Sequence, residues 1–60
     1  MKRIRFRTIL CNPQGEAHEN TITVTAKNIN TGSVRALRHT LRDLPQGWTF
    51  HSIEFWMVIS

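Results

Sequence analysis

Polar and apolar residues alternate with a period of two from the start of the chain. Ile4, Phe6, Thr8 and Leu10 interleave with Arg3, Arg5 and Arg7. A β-strand sends successive side chains to opposite faces, so this pattern predicts a strand over about Lys2 to Cys11. The first set enters a core, and the arginines line the other face. An ionised guanidinium is almost never buried unpaired, so that face must meet water, carboxylates, phosphates or a partner.

Asn12-Pro13-Gln14-Gly15 is turn chemistry, and the polar stretch Glu16 to Asn20 reads as its continuation in a loop. Alternation resumes over Thr21 to Lys27, with Ile22, Val24 and Ala26 inward and the threonines outward. Asn28 to Gly32 breaks it, and Asn30 or Thr31 is the expected helix cap. From Ser33 the period changes. Val34, Leu37, Leu41 and Leu44 then form one apolar helical stripe, which Pro45 ends. Trp48 to Ile59 is again extended, with Ile53, Phe55, Met57 and Ile59 on one face and Ser52, Glu54, Trp56 and Val58 on the other.

The expected fold is therefore α+β, a single domain over residues 1–60 in the order β-β-α-β. A hairpin followed by a right-handed crossover places the third strand beside the first. The result is a three-stranded antiparallel sheet in order 2-1-3, with one helix packed on one face and the arginine strand in the centre.

Composition narrows the function classes. Sixty residues leave little surface to bury and a marginal core. Cys11 is the only cysteine, which excludes an internal disulfide and fits a reducing compartment. Met1 and the absence of a tag predict a complete small open reading frame, no secretory signal is expected, and no apolar run is long enough to cross a bilayer. A soluble cytoplasmic protein with no membrane partner is expected. The net charge is +4, carried mostly by arginine, which suits phosphates, carboxylates and interface hot spots.

Three surfaces are candidates for recognition. The open sheet face and its edge bring together Arg3, Arg5, Arg7, Glu54, Trp56 and Val58, with Arg5 or Arg7 expected to pair with Glu54 and stack on Trp56. Arginine beside an exposed aromatic suits a protein interface or a single-stranded nucleic acid. The competing reading is a solvated face held by cross-strand pairs. The second candidate is the helix face opposite the leucines, where Arg35, Arg38, His39 and Arg42 form a basic stripe able to contact phosphates. Such a stripe is usually just a wet helix surface, and Arg42 near the C-terminal end is favoured by the helix dipole in any case.

The third candidate is Phe55 to Ile59, apolar on both faces at a sheet edge with no charged gatekeeper. A second copy of the chain or another protein is expected to cover it. His18, His39 and His51 lack ligand spacing, and Cys11 carries no mark of activation. No metal, cofactor or catalytic residue is expected.

The second half, Val24-Thr25-Ala26, a short cap, an amphipathic helix and then Leu44-Pro45-Gln46-Gly47-Trp48-Thr49-Phe50-His51-Ser52-Ile53, resembles small tailed-phage host-takeover proteins. The podophage inhibitors of bacterial RNA polymerase share this arrangement, and small anti-CRISPR inhibitors share the compact sheet-plus-helix type. The polymerase inhibitors are acidic where this chain is basic, so no functional residue carries over. What the resemblance implies is a class: a tiny non-catalytic protein in a bacterial cytoplasm that occupies a surface of a larger nucleic-acid-handling complex. The runner-up is a small dimeric nucleic-acid-binding protein that uses an arginine face.

Overall fold

A computed structural model describes residues 1–60 as β1 (Lys2–Cys11), β2 (Ala17–Ala26), α1 (Ile29–Arg42) and β3 (Thr49–Val58). The three strands form one antiparallel sheet in the order β2-β1-β3, and α1 lies against one face of it, touching all three. The β-β-α-β order and the central position of the arginine strand match the sequence pattern.

The first hairpin is tighter than the sequence suggests. Asn12 closes it alone: its Oδ1 accepts from the backbone N–H of Gln14 at 3.0 Å and of Glu16 at 2.8 Å. Gly15 takes φ +85°, a left-handed conformation that costs a Cβ-bearing residue energy. The ladder therefore starts at Ala17 opposite Cys11, four residues before the expected Thr21. His18, Glu19 and Asn20 belong to the strand although they are polar, because this half of β2 is exposed.

The helix also begins earlier. Asn28, not Asn30 or Thr31, is the cap, with extended backbone and a side chain accepting from Thr31 N–H at 2.8 Å. Its buried face is made of small residues, Gly32 and Ala36, rather than the expected leucine stripe. A Cβ on Gly32 would stand 3.2 Å from Ile4 Cδ1 and 3.3 Å from the Phe6 ring, so the helix backbone rests directly on these two side chains of β1. That close approach pushes the large side chains to the flanks. Val34 and Leu41 are about half exposed, at 51% and 50%, and Leu37 and Leu44 are only partly buried.

The core is correspondingly thin: Ile4, Phe6, Val24, Ala26 and Ala36, with Ile22 and Ile53 at its margin. Thr8 is buried in line with them and donates its hydroxyl to the Asn20 carbonyl at 3.3 Å. The other face of the sheet carries no covering layer.

β3 departs from simple alternation. Its register against β1 shifts twice, between Arg5 and Phe6 and between Ile9 and Leu10, so Trp56 and His51 are extra residues at bulges. The first shift inverts the strand end. Phe55 lies opposite Phe6 and Val58 opposite Ile4, on the helix side, whereas Met57 lies opposite Arg5 on the open side. The expected placement of Val58 with the arginines and Met57 with the core is thus reversed.

Candidate recognition face

The uncovered sheet face is built on β1. Its odd-numbered residues point away from α1, and antiparallel pairing sets each arginine beside a threonine of β2: Arg3 by Thr25, Arg5 by Thr23 and Arg7 by Thr21. On the β3 side Met57 adjoins Arg5 and Glu54 adjoins Arg7. Trp56 joins them because its bulge adds a side chain to this face. The guanidinium carbon of Arg7 lies 5.0 Å from the indole centroid and that of Arg5 lies 5.6 Å from it, both within cation–π range.

Arg7 is the hub. Its Nη1 stands 3.6 Å from Glu54 Oε1, and its Nε, shielded from solvent, lies 3.2 Å from Glu19 Oε1 without hydrogen-bond alignment. One guanidinium on the central strand thereby ties both outer strands. Glu19 was hidden in the sequence by its polar neighbours. The signal that reveals it is parity, since Glu19, Thr21, Thr23 and Thr25 share one face of β2.

Arg3 and Arg5 have no carboxylate partner, so the face keeps an excess of cationic donors beside an indole that is 44% exposed. The arrangement is flat, with donors spaced along one strand and a stacking surface at their side. It suits recognition of an acidic or planar surface rather than enclosure of a small molecule.

The helix stripe differs. Arg35 donates to the Thr25 carbonyl, and Arg42 lies 3.3 Å from Asp43 and 2.7 Å from the His39 ring. Only Arg38 in that group has no partner within the chain. Of these arginines only Arg42 has a carboxylate neighbour, Asp43, and the stripe lies across the sheet from Arg3, Arg5 and Arg7.

An open cleft of about 330 Å³ runs between the end of α1 and β2, lined by Leu10, Ile22, Thr40, Leu44 and Trp48 among others. No three His, Cys, Asp or Glu side chains lie together as metal ligands would, and no helix is long and apolar enough to cross a membrane. Comparison with family models, with curated proteins and with solved structures returns no match.

Proposed function

We propose that this chain is a small non-catalytic binding protein that acts by occupying a surface of a larger protein complex. The single observation that carries the reading is the pair of guanidiniums from Arg5 and Arg7 flanking an exposed Trp56 on an uncovered sheet. Tryptophan and arginine are the residues most enriched among interface hot spots, and a flat face of this kind is covered by a macromolecule. The resemblance of the second half to host-takeover proteins extends the proposal to the target. We assign it to a host nucleic-acid-handling complex in a bacterial cytoplasm, an RNA polymerase or a defence system of the CRISPR type.

Affinity capture from a bacterial lysate tests this directly. The wild-type chain retains one stoichiometric protein partner, Trp56→Ala and Arg5→Ala lose it with unchanged circular dichroism, and Arg38→Ala keeps it. Loss with Arg38→Ala alone would place the contact on the helix side. The second reading, nucleic-acid binding, is favoured by the carboxylate-free Arg3 and Arg5. Nuclease-sensitive recovery without a protein partner would put it first.

A further inference from the structure

We propose that the partner meets the arginine–tryptophan face with an extended segment whose charge reverses along its length. Acidic residues at alternate positions lie over Arg3 and Arg5, an apolar residue lies over Trp56, and a basic residue lies over Ile9 beside Glu19. The inference rests on the reading that a protein occupies this face, and it names the chemistry of that protein.

The face is not uniformly basic. Arg3, Arg5, Arg7 and Ile9 follow one another along it at alternate positions of β1. Arg3 is exposed and Arg5 half-buried, and neither has a carboxylate partner. Their cross-strand neighbours are Thr25 and Thr23 on β2 and Met57 on β3, none of them charged. Farther along, Arg7 is paired in register with Glu54, and Ile9 is paired in register with Glu19. Both carboxylates reach back to the Arg7 guanidinium, yet their side chains remain 56% and 65% exposed. Two unopposed arginines give one end of the row a net +2, and one arginine against two glutamates gives the other a net −1. The sign therefore changes within about 20 Å of one strand.

Trp56 marks the boundary. Its indole lies 5.6 Å from the Arg5 guanidinium carbon and 5.0 Å from that of Arg7, so it touches the last free cation and the first neutralised one. An apolar side chain laid here meets the indole without opposing either charge.

A polyanion fits only half of this row. A nucleic-acid strand running along β1 brings phosphates to Arg3 and Arg5, and then brings more to Arg7, where Glu19 and Glu54 repel them. A uniformly acidic peptide meets the same obstacle. A segment that changes sign with the face meets none. Screening sharpens the choice: at physiological ionic strength the Debye length is about 8 Å, shorter than the row, so each end responds to what lies directly over it.

The conformation follows from β1. Alternate residues of a strand stand about 6.6 Å apart, and an extended chain laid along the row keeps step with them at its own alternate residues. The short side chains of Thr21, Thr23 and Thr25 border this track on one side, and Met57 and Trp56 border it on the other. The intervening residues of the segment then point away from this sheet, toward the body of the partner.

Two synthetic peptides that differ at one residue test the proposal, Glu-Thr-Glu-Thr-Leu-Thr-Lys and Glu-Thr-Glu-Thr-Leu-Thr-Glu. Each is titrated at physiological salt into the isotope-labelled intact chain, with amide and indole NMR shifts as the readout. The lysine peptide should move the signals of Arg3, Arg5, Ile9 and the Trp56 indole. It should bind about three- to tenfold more tightly than the all-acidic peptide, although the latter carries more charge opposite to that of the chain. Glu19→Gln lies on the exposed half of β2 and should remove most of that preference, with the remaining spectrum showing an intact fold. Equal affinities, a preference undiminished by Glu19→Gln, or no shift on this face with either peptide overturns the proposal. A thymidine oligonucleotide that moves the same signals, binds more tightly than both peptides and gains affinity from Glu19→Gln overturns it too, and gives the face to nucleic acid. The reading beneath it is decided separately, by whether Trp56→Ala and Arg5→Ala lose the captured protein.

Discussion

Arg5 and Arg7 are two residues apart on one face, yet their surroundings assign them different work. Arg7 is held by Glu19, Glu54 and Trp56, so much of its charge is used within the sheet. Its pairs are partly exposed, and such pairs are worth no more than about 1 kcal/mol. Arg7→Met should lower the urea-unfolding free energy by about that amount, because it loosens β2 and β3 together. Arg5 has the indole but no carboxylate. Arg5→Ala should leave stability within about 0.5 kcal/mol and weaken partner binding by about 2 kcal/mol, roughly thirtyfold, in calorimetric titration. Equal losses of stability and binding in both variants would mean that the face is only a cross-strand brace. Gly32 shows the same logic in the core. With Ile4 and Phe6 at 3.2–3.3 Å from where its Cβ would stand, Gly32→Val should cost about 1–3 kcal/mol by overpacking, read from the denaturation midpoint.

Among the elements, α1 depends on a cap that sequence pattern misplaced. Asn28→Ala removes the acceptor for Thr31 N–H and should cost about 1 kcal/mol, whereas Asn30→Ala should be nearly silent in the same unfolding assay. The misplacement has a physical origin. Thr31-Gly32-Ser33 reads as a chain break by propensity, but here the glycine is what lets the helix touch β1. The leucine stripe misled for the same reason: its period is genuine, but Gly32 and Ala36 take the side against the sheet and leave Val34 and Leu41 about half exposed. Sheet order was legible because alternation in β1 is strict and the crossover rule leaves one arrangement. The inversion at Val58 was not. Phe55 to Ile59 is apolar throughout, so a bulge at Trp56 leaves no polar residue out of phase to betray it. The Arg–Trp–Glu54 grouping was legible because it lies on the side of the bulge where parity still held.

For the molecule as a whole, position matters more than the net charge of +4. The strand arginines and the helix arginines lie on opposite sides of one sheet, so a flat polyanion engages one set or the other. The strand set offers Arg3, Arg5 and Arg7, with Arg7 already committed to two carboxylates. On the helix side Arg35 and Arg42 are also engaged. The three arginines of either set can neutralise about three phosphates. With counterion release setting the slope, duplex affinity should fall about fortyfold at most between about 50 and 200 mM salt, from a weak starting value. Fluorescence anisotropy with a labelled generic duplex measures this. Changing Arg3 and Arg5 to Ala should remove most of the residual slope if the sheet face is used, and changing Arg38 should remove little. A steeper slope would require phosphates to meet both faces at once, which only a wrapped or bent nucleic acid achieves. Tight binding that persists at physiological salt would mean that base stacking on Trp56 contributes, and nucleic acid would then displace protein as the partner of this face.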